Sequence, residues 1–178
     1  MRPTLDELKT LALSAGLTDC GLIGTEKVNF SHEVRKMCEV NTCRMYGKTW
    51  ACPPAVGTID ECRDRAQQFS DLLLFAGKYG LEDSFDFEGM TAAMADFKIK
   101  VRVFEASIQP HLRNYLMLSN EGCGECGQCA YPEPCRFPDR AHGSIEAYGI
   151  FVSETATAAG VKYNNGPNTV TYFGGLFF

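Results

Sequence analysis

The segment Cys123-Gly-Glu-Cys126-Gly-Gln-Cys129-Ala-Tyr-Pro-Glu-Pro-Cys135-Arg-Phe-Pro138 constrains this chain more than any other stretch. A C-x2-C-x2-C run with a fourth cysteine shortly after, then a proline, is a wrapping for an iron–sulfur cube. Three thiolates at that spacing can converge on one face of a cluster. Gly122, Gly124 and Gly127 let backbone amides approach the sulfides. The last gap is x5 rather than the x3 of bacterial ferredoxins, so Cys135 either closes the same cube or reaches another. Zinc is the main rival, because it also accepts four thiolates, although structural zinc usually takes two separated C-x2-C pairs.

A second, looser set precedes this run. Cys38, Cys43 and Cys52 are spaced x4 and x8, and Cys62 follows after x9. Cys52-Pro53-Pro54 is a stiff turn able to hold a thiolate outward, and Tyr46, Gly47 and Trp50 are expected to wall the site. Cys62 falls in a predicted helix, where it is either a fourth ligand or a buried helical cysteine. The difference matters: three thiolates leave one iron of a cube open, whereas four make a closed electron carrier. Cys20, the ninth cysteine, falls in a predicted strand, where core packing is the default for a free thiol.

Composition sets bounds. The 178 residues form one domain with two cysteine-rich loops, 38–62 and 122–138. That length supports a core of its own, so metal need not be the only thing folding it. The net charge of −5 is spread along the chain, which argues against nucleic-acid binding. The polar start Met-Arg-Pro-Thr-Leu-Asp-Glu-Leu is unlike a signal peptide, and no apolar run approaches the ~20 residues of a membrane span. A cytoplasmic setting is expected, in which clustered cysteines are metal ligands rather than disulfides.

Periodicity predicts an α+β fold, a small mixed or antiparallel sheet packed by helices. Residues 4–16 read as a helix with Thr4 and Glu7 as a capping box and Gly16 as its stop. Strands are expected at 19–24 and 71–77, and a helix at 58–69. Residues 25–57 carry little periodicity and read as loop. The stripe Met90, Met94, Phe97, Val101, Phe104, Ile108, Tyr115 predicts a long helix over 89–116, kinked by Pro110. Residues 143–160 suggest one or two short helices, and 161–178 a hairpin turning at Asn164-Asn165-Gly166.

Near the second cysteine run, Arg136 is a candidate partner for cluster charge, and Arg140 and His142 are candidates to line the site. No phosphate loop, dinucleotide fingerprint or nucleophile elbow is present.

Taken together, three strings resemble the predicted metal-binding proteins of the domain-of-unknown-function 2284 family. They are Cys38-x4-Cys43-x2-Tyr46-Gly47-x4-Cys52-Pro53-Pro54, the C-x2-C-x2-C…Cys135-Arg136-x-Pro138 run, and Ser144-Ile145-Glu146-Ala147-x-Gly149-Ile150. The likeness spans nearly the whole chain, including the closing Thr-Tyr-Phe-Gly-Gly-Leu-Phe. Where that family usually reads Arg-Pro-Ser-Met-Glu, this chain has His142-Gly143-Ser144-Ile145-Glu146, losing a proline but keeping Ser144 and Glu146. The resemblance implies prokaryotic, cytoplasmic metal binding with no settled reaction. It carries a ligand set onto Cys38, Cys43, Cys52, Cys123, Cys126, Cys129 and Cys135; Cys20 and Cys62 are not firm members of that pattern.

Three functions follow as expectations. The first is electron transfer to a redox partner protein through one or two [4Fe–4S] clusters. The second is an iron–sulfur enzyme or maturation factor with an open iron at Cys38, Cys43 and Cys52. The third is a structural zinc protein serving as an interaction module.

Overall fold

The computed structural model describes residues 3–178, and the fold is α+β as expected. Five strands run in the order β1-β2-β5-β3-β4: β1 (Asp19–Gly24), β2 (Asp71–Gly80), β3 (Leu116–Ser119), β4 (Gly143–Ser144) and β5 (Thr169–Phe177). All neighbours are antiparallel except β3 and β4, which run parallel with Ser119 opposite Ser144.

The sheet is covered on both faces, and β2 shows why its apolar residues are continuous rather than alternating. Leu73 and Phe75 point to one face, where they meet α1 (Leu5–Ser14) and α4 (Phe87–Ile108) through Leu8, Phe97, Val101 and Phe104. Leu72, Leu74 and Ala76 point to the other, against α3 (Ile59–Ala66) and α5 (Val152–Ala159) through Cys62, Ala66 and Ala156. Phe75 meets Phe104 edge-to-face at 5.5 Å between ring centroids, a favoured aromatic geometry. No helix among the described residues is long and apolar enough to cross a membrane.

The capping box of α1 forms as expected, with the Thr4 hydroxyl accepting from the Glu7 N–H and the Glu7 carboxylate accepting from the Thr4 N–H. Thr58 and Glu61 repeat the device at α3.

Four expectations are corrected. Residues 25–57 are not all loop: α2 (His32–Val40) lies among them, started by the Ser31 side chain and ended by Asn41 in the left-handed region. Helix α4 ends at Ile108, so Pro110 lies past it and bends nothing, and Leu116–Ser119 is strand. Residues 143–160 hold one short helix, within the one or two expected, but a two-residue strand precedes it. The closing segment is not a hairpin. Asn164–Gly166 do make a turn, with the Gly166 N–H on Asn164 Oδ1, but β5 pairs instead with β2 and β3 in the middle of the sheet.

This topology positions both cysteine sets. The segment 120–142 is the excursion between the parallel strands β3 and β4. The segment 28–58, carrying α2 and the first cysteines, folds over the same edge. Its Ala51 carbonyl accepts from the Ser144 N–H at 3.3 Å, and Phe30 bridges Ile150.

Candidate metal centres

The cysteines separate into two cavities. Cys123, Cys126, Cys129 and Cys135 all line one, together with Trp50 and Lys98. Cys38, Cys43 and Cys52 line another, together with Glu121 and Glu146. Each cavity encloses about 270 Å³. That far exceeds the roughly 30 Å³ share of one water, so each has room for a guest of several atoms. Among the described residues, no three His, Cys, Asp or Glu side chains already meet closely enough to hold a single ion; the thiols ring the cavities instead.

Cys62 lies apart. It is fully buried in α3, where its thiol donates toward the Val56 carbonyl at 3.6 Å. Arg65 approaches its sulfur at 3.2 Å and Arg35 at 3.8 Å. It lines neither cysteine cavity, so the structure gathers three cysteines in the first set. Cys20 is partly buried in β1 and packs against the α1–α4 face.

The first site is built from three elements. Cys38 comes from the last turn of α2, Cys43 from the turn after it, and Cys52 from the loop that abuts β4. The Asn41 side chain accepts from the Tyr46 N–H at 3.0 Å, and the Gly47 N–H donates to the Pro53 carbonyl at 2.8 Å, which ties the loop to itself. Burial pushes the Cys38 thiol up to about 11; Arg35 draws it back, while Cys52, Glu146 and Cys43 add to the rise. Burial likewise raises Cys52 against the pull of the Thr49 hydroxyl and the Gly122 N–H. Glu146 is raised by burial, opposed by the Ser144 hydroxyl that donates to its carboxylate. The raised Cys38 and Cys52 thiols hold their protons at neutral pH, and the repulsion that opposes their ionisation is what a cation would relieve.

The second site is a loop held by charge. Glu125, between two of the cysteines, is nearly buried and is gripped by Arg102 at 3.0 Å and Arg140 at 2.6 Å. Arg102, reaching out from α4, also approaches Cys123 Sγ at 3.8 Å. His142, expected to line the site, is instead buried behind it, with Nε2 at 2.8 Å from Glu105. Arg140 is committed to Glu125, and Arg136 donates to the Gln128 carbonyl. Gly122 and Gly124 take φ of +64° and +72°, in the left-handed region that favours glycine. A Cβ on Gly124 would also stand 3.0 Å from Lys98 Cδ.

The two sites share a wall. Glu121 lines both cavities. Lys98 donates to the carbonyls of Glu121 and Gly122 and lies within the electrostatic reach of Cys123 and Cys52. Trp50, expected to wall the first site, lines the second, with its indole N–H on the Glu133 carbonyl at 2.9 Å and its ring against Tyr131. Lys98 and Glu125 carried no signal in the sequence beyond being polar residues on a helix and in a loop; only the fold brings them to the wall of the second cavity.

The donor chemistry fits a thiolate-bound guest. Seven thiols line two cavities, and on the wall of the second sits polar capacity without a full partner. The Thr49 hydroxyl is buried with no full hydrogen bond, near enough to Cys52 to favour its thiolate. Buried unsatisfied polar groups are few in folded proteins, and a bound ion is one of the explanations for them.

No curated protein and no solved structure matches the chain. The family model described as predicted metal-binding protein, DUF2284, matches residues 21–178, and the chain belongs to that family of predicted metal-binding proteins.

Proposed function

We propose that this is an iron–sulfur protein that carries a [4Fe–4S] cluster at Cys123, Cys126, Cys129 and Cys135 and a second cluster at Cys38, Cys43 and Cys52, and that it passes electrons to a partner protein in the cytoplasm. The observation that carries the reading is the single cavity lined by all four cysteines of the C-x2-C-x2-C-x5-C run, floored by left-handed glycines and backed by Lys98. When bound, such a cluster supplies a one-electron redox couple whose potential follows its hydrogen bonds and exposure. The chain's own residues set those terms. Lys98 and Arg102 place positive charge beside an anionic guest. The glycines bring the backbone close to it. All four thiols are partly exposed, which keeps the site within reach of a docking partner. The net charge of −5 suits a partner with a basic face.

Anaerobic isolation with metal and sulfide analysis tests the reading. Brown protein with about four or eight irons per chain and matching sulfide is the expected result. Colourless protein holding stoichiometric zinc would overturn it in favour of a structural zinc module.

The first cavity favours a second reading, an enzyme or maturation factor with a reactive iron. Three cysteines rather than four line it, and Cys43 is exposed. Added cyanide or small thiolates should then change the visible spectrum; a spectrum indifferent to both returns the protein to the role of carrier.

A further inference from the structure

We propose that the Glu146 carboxylate is the fourth protein ligand of the first site, completing a set of three thiolates and one carboxylate with Cys38, Cys43 and Cys52. The inference rests on the reading of those three cysteines as ligands and adds the identity of the fourth.

Glu146 lines the same cavity as the three thiols, and the Cys38 thiol donates toward the Glu146 carbonyl at 3.9 Å. The residue is held on a rigid support. It follows β4 at the start of a turn in which the Tyr148 N–H donates to the Ser144 carbonyl at 3.1 Å, and Ser144, Ile145 and Ala147 around it are buried. Its carboxylate is aimed. The Ser144 hydroxyl donates to Oε2 and itself accepts from the Ala147 N–H at 3.2 Å. A ligating carboxylate is ordinarily oriented by such a second hydrogen bond.

The other candidates are engaged elsewhere. Cys62 is in the core, His142 is on Glu105, and His32 lines a different groove. Glu121 also borders the cavity, but it is an exposed residue on the wall shared with the second site. An oxygen ligand binds iron less firmly than a thiolate and exchanges more readily. The Glu146-bound iron is therefore the one an incoming small anion or thiolate would claim.

The test compares wild-type, C52S, E146Q, E146D and E121Q proteins, isolated anaerobically, by iron and sulfide content and by electron paramagnetic and Mössbauer spectroscopy. C52S should lose one cluster's worth of iron. E146Q should lose about one iron per chain as its first cluster becomes a three-iron species, while E146D and E121Q keep the wild-type count. Wild-type and E121Q proteins labelled with carbon-13 at glutamate carboxyl groups should both show a strong carbon coupling to the reduced first cluster, which assigns it to Glu146 even if E146Q does not fold; a coupling lost in E121Q would assign it to Glu121 and overturn the inference. Iron unchanged in C52S removes the first ligand set and this inference with it. Iron lost in C52S but complete in E146Q, with an unaltered spectrum and no carbon coupling in wild type, overturns the role of Glu146 alone.

Discussion

The two cysteine cavities are of equal size and share a wall, yet they are built on different principles. The first is assembled from secondary structure and core: the end of α2, a loop bound to β4, and a turn whose neighbours are buried. Two of its thiols, Cys38 and Cys52, are desolvated, and Cys38 is pushed to about 11 by burial. The second is an excursion between two adjacent strands. It has little apolar interior and is shaped by Glu125 with its two arginines and by glycines in left-handed geometry. The same chemistry is thus presented once by packing and once by charge and backbone. The first site should exist as a pocket before its guest arrives; the second should depend on its guest for its form.

The sharpest way to break this contrast is Cys129→Ser. It should abolish binding at the second site and open residues 120–142 to protease while leaving the sheet intact. A retained guest and an unchanged cleavage pattern would show that the charge network alone holds the loop. Next in size is the response of the first site to pH. Metal must displace protons from thiols whose affinity for protons is raised, so its binding strengthens as pH rises toward the Cys38 value of about 11. The slope should be about tenfold per pH unit for each protonated thiol, read from metal competition in Cys129→Ser protein. A flat profile would mean that the pocket opens to solvent before binding.

The shared wall gives a third prediction. Lys98→Met keeps the aliphatic stem but removes the charge next to both sets. It should weaken both sites together, by roughly the 10–100-fold typical of an outer-shell partner. A change confined to one site would show that the wall insulates them. The smallest effect is expected at Cys62. Cys62→Ala should cost about 1 kcal/mol of stability, the ordinary loss for a buried side chain trimmed, and no metal. Equilibrium unfolding and metal content read the two separately, and any metal loss would return Cys62 to the ligand set.

Much of this molecule was legible before its structure. The Thr4–Glu7 capping box, the apolar run of β2 and the stripe of α4 are local signals, and each produced the element it predicts. Helix α2 was missed although Val34, Met37 and Cys38 fall at helical spacing: it is nine residues long, mostly polar, and buries no residue fully, with Met37 and Val40 left exposed, and its boundaries rest on Ser31 and Asn41. The strand misread as half of a hairpin shows the other limit. The Asn164–Gly166 turn is real, but turn grammar cannot tell that β5 takes partners about 60 to 100 residues upstream rather than next door. At the sites, the division of cysteines into two sets was readable from spacing. Lys98, Glu125 and the swap of Trp50 to the second cavity were not, because each depends on how α4 and the two loops meet in space.

The strand order carries a consequence for timing. Strand β5 is made after every cysteine in the chain, yet it is the middle strand, and β3 joins β2 only through it. Until β5 is seated, β3 and β4 have no sheet to extend, and both sets of thiols hang from unanchored chain. During synthesis these sulfurs are therefore exposed to stray metal and oxidant before either cavity exists. Sheet closure is the event that turns scattered thiols into two addresses, and the order of assembly is sheet first, guests second.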